Sequence, residues 1–202
     1  MIHTFGDSHA SGEHSHWGYI RDSNIKIKTH HLPGKLMYTF GRLGKELLNI
    51  KNYGVSENDI VIFCFGEIDC RNHVHKHITA NFSYKDIINS IVINYFNAIK
   101  INIEQYNNIK TCVYNVVPPT RKIYCDPNHP YPYLGSDDDR KIYYKYMNKK
   151  LKELCEAYNY FFFDIYDECC DSEGFLNSEY SDGNCHIRNT EHSTKVIKNL
   201  CL

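Results

Sequence analysis

The segment that most restricts the fold is IVIFCF, Ile60–Phe65, apolar at every position. A strand with one face in water alternates apolar and polar residues. One that is apolar throughout belongs in the middle of a parallel sheet, covered on both faces. Further runs of strand character stand at Ile2–Phe5, Ile25–Lys28, Thr111–Val117 and Phe161–Ile165. Between them apolar residues recur at helical spacing. Leu36, Phe40, Leu43 and Leu47 form one set; Ile87, Ile88, Ile91, Tyr95, Ile99 and Ile103 form a second; Tyr143, Tyr144, Met147, Leu151 and Leu154 form a third. Ser136 with Asp139 after it reads as a capping-box variant opening the third helix. A last helix is expected after Asn189, with Val196, Ile197 and Leu200 facing inward. Strict alternation of strand and helix implies right-handed βαβ units, and so a parallel sheet with helices on both faces. The five strands suit the flavodoxin-like order 2-1-3-4-5, whose ligand crevice opens at the carboxyl ends of strands 1 and 3.

Polar segments fall at that crevice. GDSHASGEH leaves strand 1, GEIDCRNH leaves strand 3, and SDGNCHI lies between strand 5 and the last helix. Ser8, one residue past a Gly-Asp turn, would present its hydroxyl there, beside backbone N–H groups able to bind an anion. Serine is a weak nucleophile at neutral pH and needs a base within hydrogen-bond reach. His186 supplies an imidazole, and Asp182 before it a carboxylate able to hold the imidazole tautomer. The plain alternatives are a helix cap for Ser8 and a surface role for His186. Such a base would give activity that rises through a pKa of about 6.5 before its surroundings shift it.

Other signals have bland readings beside the chemical ones. His73, His75 and His77 alternate in NHVHKH, which would suit zinc on a strand face, but no carboxylate or cysteine accompanies them, and a solvated loop or helix entry is the expectation. His9, His14 and His16 lie beside Ser8 as pocket lining or solvated residues. Glu67 and Asp69 would serve as a glycosidase-like carboxylate pair, or as hydrogen-bonding partners that hold their loop. The irregular stretch Tyr124–Gly135 offers tyrosines for stacking on a sugar ring or for packing the loop.

The whole chain, 1–202, fits one domain, with 42% hydrophobic and 23% charged residues. A net charge of -1 and scattered lysines and arginines provide no field for nucleic acid or an anionic membrane. No apolar run approaches the length of a membrane span, and MIHTFGDSHA lacks the pattern of a signal peptide. Nine cysteines with no CxxC pair, several in apolar surroundings such as Cys64 and Cys112, suit the core of a reduced, cytoplasmic protein. Cys169 and Cys170 are adjacent and so poorly placed for a mutual disulfide.

GDSH at 6–9, GEIDCR at 66–71 and SDGNCHI at 181–187 resemble blocks I, III and V of the SGNH/GDSL hydrolases, in particular the subgroup that pairs GDSH with FGEIDCR. The resemblance implies a three-layer α/β/α sandwich and a Ser8-Asp182-His186 triad acting on esters, often acyl groups on sugars and lipids. It implies no metal and no organic cofactor. The expected activity is an esterase for small acyl groups on a hydroxylated acceptor such as a glycan. An acyltransferase would use the same residues, and a weak glycan-binding module would keep only the fold. The partner is then a small-molecule or glycan ester, with no nucleic acid and no membrane.

The sequence departs from the family pattern at three places. Block III usually reads Gly-x-Asn-Asp, its Asn donating to the oxyanion; here Gly66-Glu67-Ile68-Asp69 puts Ile68 at that position. Arg71 is one replacement donor; its other role would be to pair with Glu67 or Asp69. Block V has three residues between Asp182 and His186 where the family usually has two. The block II glycine of the oxyanion hole is Gly34 or Gly41, and the sequence does not choose between them.

Overall fold

The computed structural model describes residues 1–201. β1 (Ile2–Gly6), β2 (Ile27–His31), β3 (Ile60–Cys64), β4 (Lys110–Tyr114) and β5 (Phe161–Phe163) form a parallel sheet in the order β2-β1-β3-β4-β5. Every residue of β3 is buried. Val61 and Phe63 face a core shared with α1 (Met37–Leu43), α3 (Tyr84–Ile103) and α4 (Asp137–Tyr158). Ile60, Ile62 and Cys64 face a second core closed by Trp17 and by α5 (Glu191–Leu200) through Ile197 and Leu200. Alternate residues of one strand thus feed two cores, each large side chain contributing about 1.5–3 kcal/mol by its burial. The fold class is that expected from the strand pattern, a sheet between two helical layers.

Capping boxes open both long helices: Ser83 with Asp86 on α3, and Ser136 with Asp139 on α4. Each serine accepts the N3 amide while the aspartate accepts the amide of the cap, so two of the unpaired N–H groups at each helix start are satisfied.

Strand limits shift where side chains replace the ladder. β5 ends at Phe163 because the Ile165 N–H donates to Asn115 Oδ1 (3.1 Å) instead of to a strand. β4 ends at Tyr114, and Val116 N–H donates to Asn148 Oδ1 (2.7 Å). β2 begins at Ile27 and runs on to His31, later than its apolar residues suggest. It is an edge strand, so Lys28 and His31 sit at the surface without penalty, while His30 is buried on Phe5 with His3 Nδ1 at 3.0 Å from its Nε2.

The register sets where the site lies. Gly6 is level with His31 on one side and Cys64 on the other, so β1, β2 and β3 end together. Asp7 N–H then donates to Cys64 O (3.2 Å) and Leu32 N–H to Gly6 O (2.7 Å), which carries the alignment into the loops. A side chain at Gly6 would overlap the Cys64 carbonyl, so the close approach of β1 to β3 at this point requires glycine. After β3 the chain enters a π-helical turn over Asp69–His73 that continues as α2 (Val74–Lys76).

Candidate active site

Ser8 opens a single 3-10 turn after β1, with Asp7 as its cap: Asp7 Oδ1 accepts the His9 N–H at 2.9 Å. The serine hydroxyl lies 2.8 Å from His186 Nε2, and His186 Nδ1 lies 2.8 Å from Asp182 Oδ2. The three residues thus form one hydrogen-bonded line across 178 residues of sequence. The extra residue between Asp182 and His186 is absorbed by an Asx turn. Asp182 Oδ1 accepts N–H from Asn184 (2.8 Å) and His186 (3.2 Å), and Asp182 N–H donates to His186 O (2.9 Å). Ser181 and Ile187 form an antiparallel bridge that closes the loop.

Burial lowers the pKa of His186, but the Asp182 hydrogen bond and the neighbouring Cys185 outweigh it and raise the group to about 9. On Asp182, burial raises the carboxyl pKa, but the His186 contacts outweigh it and bring the group down to about 2. The shifts agree in sign: each partner favours the charged form of the other. Cys185 Sγ is 3.7 Å from the same Nε2 that meets Ser8.

A second carboxylate–imidazole pair sits directly beneath. Asp7 Oδ1 is 2.9 Å from His9 Nδ1, and His9 Nε2 is 3.1 Å from Cys185 O. Both ring nitrogens of His9 therefore face acceptors and must both carry protons. Burial opposes that charge, yet Asp7 holds the His9 pKa well above its ordinary value. Trp17 Nε1 donates to His9 O at 2.7 Å. His9 thus ties the Ser8 turn to the His186 loop, a role that the sequence alone does not reveal.

Ser8, Asp182 and His186 border a cavity of about 450 Å³ lined also by Gly34, Ile68, Arg71, Cys185, His14, His31, His129 and Tyr131. Of the two glycines, Gly34 reaches this cavity, with φ at +64°, in the left-handed region that favours glycine. Gly41 is corrected to a packing residue: it lies inside α1, where an added Cβ would come within 2.9 Å of Tyr95 N on α3. The reason is where α1 starts. Asp69 accepts N–H from Met37 (2.7 Å) and Tyr38 (3.0 Å), so its carboxylate caps the helix and leaves Gly34 outside it.

Glu67 and Asp69 part company, as a loop-holding role requires. Asp69 goes to α1, while Glu67 Oε1 accepts from Tyr144 OH (3.0 Å) and Tyr133 OH (3.4 Å), and its Oε2 lies 3.2 Å from Arg71 Nε. They do not flank a common point as glycosidase carboxylates would. Ile68 is buried on the cavity wall and offers no donor. The three histidines at 73, 75 and 77 do not meet at one point: His75 Nδ1 meets Tyr143 OH at 3.0 Å, while His73 stacks on Tyr38 and lies tilted beside His77. Of the histidines beside Ser8, His14 lines the cavity and His16 is buried against Trp17. In the tyrosine-rich loop, Tyr131 OH donates to Gly34 O (3.1 Å) and its ring forms part of the cavity wall, whereas Tyr133 packs inward. All nine cysteines are free, with Cys64 and Cys112 in the core. No helix among the described residues is long and apolar enough to cross a membrane.

No family model matches the chain, and no curated protein matches it. Solved structures share its fold. One from Streptococcus pneumonia, described as a candidate platelet activating factor, aligns with TM-score 0.69 at 17% identity, over 100% of this chain and 83% of its own. Est24, a carbohydrate acetylesterase from Sinorhizobium meliloti, aligns with TM-score 0.60 at 15% identity, over 98% and 95%. A member of the lipolytic G-D-S-L family from Veillonella parvula aligns with TM-score 0.51 at 13% identity, over 100% and 96%. The architecture is therefore that of GDSL-type α/β/α proteins; at these identities the likeness concerns the fold alone.

Proposed function

We propose that this chain is a serine esterase that removes small acyl groups from a hydroxylated acceptor such as a glycan. The observation that carries the reading is the line Ser8 Oγ–His186 Nε2–His186 Nδ1–Asp182 Oδ2, with both contacts at 2.8 Å, at the edge of a cavity of about 450 Å³. In its neutral form His186 accepts the serine proton as Ser8 Oγ attacks the ester carbonyl. Asp182 orients the ring and stabilises the imidazolium that forms. The proton then passes to the departing alcohol. Water, deprotonated by the same imidazole, attacks the acyl-enzyme and releases the carboxylic acid.

With Ile68 in place of a side-chain amide, the main chain is assigned the oxyanion. The Ser8 and Gly34 N–H groups have no acceptor in the backbone network, and both residues line the cavity. Fixed donors aimed at a developing charge are worth more in such a half-enclosed site than in water. The glycan acceptor is supported by the flat faces of Tyr131, Pro33 and Pro130 along the cavity, and by the likeness in fold to a carbohydrate acetylesterase. Reaction with an active-site-directed fluorophosphonate, followed by mass mapping, tests the reading. Label on Ser8 alone, lost in Ser8→Ala together with hydrolysis of an aryl acetate, is the expected result. Label on Ser11, or full activity in Ser8→Ala, overturns it.

A further inference from the structure

The ionisable lining of the cavity is one-sided. Asp182 is held by His186, and the other titratable side chains on the wall are Arg71, His14, His31, His129, His186, Cys185 and Tyr131, whose hydroxyl donates to Gly34 O. No carboxylate of the described lining residues is left to repel an anion, and none is there to bind a cation. Burial and the adjacent His14 push the pKa of His31 down, so that ring does not supply the positive charge at neutral pH. Arg71 keeps its proton, as a guanidinium does, and has the buried Glu67 carboxylate behind it as counter-ion.

The way Arg71 is held bears on its use. Its side chain is 7% exposed, yet it forms part of the wall. Nε is sealed from solvent against Glu67 Oε2, and Glu67 is itself anchored by two tyrosine hydroxyls. The ring of Tyr133 lies 5.3 Å from the guanidinium carbon, and Leu134 N–H donates to the backbone Arg71 O (2.8 Å), so the guanidinium is packed and the main chain beneath it is pinned. The anchor engages the Nε edge. The terminal nitrogens, which no hydrogen bond of the described residues engages, are the polar atoms left to meet the cavity. A desolvated guanidinium with its fork unfilled is matched by a planar oxyacid, which takes two parallel N–H···O bonds.

We propose that Arg71 binds a carboxylate on the substrate, and that the preferred substrates are acyl esters of carboxylate-bearing sugars of the uronic-acid type. The acyl half of this statement rests on the esterase reading; the carboxylate half rests on the unfilled fork of Arg71 and on the lack of a free carboxylate among the described lining residues. The sugar ring lies along Tyr131, Pro33 and Pro130, its acid group reaches Arg71, and its ester reaches Ser8.

The test measures binding apart from turnover. In Ser8→Ala protein, calorimetry compares O-acetylated glucuronic acid with O-acetylated glucuronamide, which differ only in the acid group. The acid is expected to bind at least about tenfold tighter, the range of a charge-assisted pair. Arg71→Gln in the same background should erase the ratio, and Arg71→Lys should restore part of it. Equal affinity for acid and amide overturns the proposal without any change to Arg71, so the result does not depend on how well the variants fold. A ratio that survives in Arg71→Gln also overturns it. If the neutral acetate is hydrolysed by the unaltered protein while acid and amide bind alike, this inference alone fails. If the acid is preferred through Arg71 and no ester is cleaved, the carboxylate site stands and the esterase reading falls.

Discussion

Two aspartate–histidine pairs lie side by side in this molecule, and their ring centroids are 4.9 Å apart. In both, the carboxylate takes Nδ1, at 2.8 Å in Asp182–His186 and 2.9 Å in Asp7–His9. They differ in what meets Nε2. His186 faces the Ser8 hydroxyl, which can donate as well as accept; His9 faces the Cys185 carbonyl, which can only accept. A ring with a hydroxyl at Nε2 can give up its proton and take another. A ring fixed between a carboxylate and a carbonyl cannot do so without leaving a buried lone pair against an oxygen. On the proposed reading, the carboxylate alone does not make a general base; the partner of the other nitrogen decides.

Substitution separates the pairs most sharply. His186→Ala should lower kcat of ester hydrolysis at least about 10³-fold with little change in melting temperature, as expected for a member of a triad. His9→Ala should act the other way, since it leaves the buried Asp7 carboxylate unpaired at a cost of about 3–5 kcal/mol. Thermal melts and single-substrate kinetics on both proteins check this. An unchanged melting temperature for His9→Ala, with kcat lost as in His186→Ala, breaks the comparison.

The pH profile gives the next largest effect. With His186 raised to about 9, roughly one molecule in a hundred carries the neutral imidazole at pH 7, so activity should rise about tenfold per pH unit from 6 to 8 and level off above 9. This places the limb well above the unperturbed histidine value. Cys185 is part of the cause, and Cys185→Ala should shift the limb to lower pH; a profile that stays put removes the thiol from the account. For stability, His9 has a folded pKa above its unfolded value. Its contribution is therefore complete below about 6.5 and is lost as pH rises through the folded value. The melting difference between the native chain and His9→Ala should shrink only at the alkaline end.

The smallest effect concerns the two glycines. Gly41→Ala should destabilise by about 1–3 kcal/mol by forcing α1 away from α3, leaving KM unchanged. Gly34→Ala strains a left-handed residue on the cavity wall and should lower kcat more than stability. The reverse pattern would move the oxyanion donor away from Gly34.

What was legible in the sequence follows the locality of the forces. β3 was readable because a strand covered on both faces has no polar position, whereas β2 was displaced because an edge strand tolerates Lys28, His30 and His31. The α4 capping box was readable because its partners are three residues apart. Ser8, Asp182 and His186 stood out through turn chemistry, and the structure brings them onto one hydrogen-bonded line. The choice between Gly34 and Gly41 was not available locally, since it depends on Asp69, 32 residues from Met37, fixing the start of α1. Cys185 carries no signal of its own within the polar segment SDGNCHI, because its contacts with His186 and His9 exist only in the folded chain.

The distance along the chain between Ser8 and His186 has a consequence for the making of the protein. Synthesis delivers β1, β2 and β3 early, so the turn that displays Ser8 has its scaffold long before the base exists. While the ribosome is still adding residues short of 186, Ser8 is an ordinary alcohol without a hydrogen-bond partner at Oγ. On the proposed reading the proton acceptor arrives only when the final loop and α5 dock, and that loop also supplies part of the cavity wall, so a chain that stops short of it has Ser8 in place but neither its base nor a finished pocket.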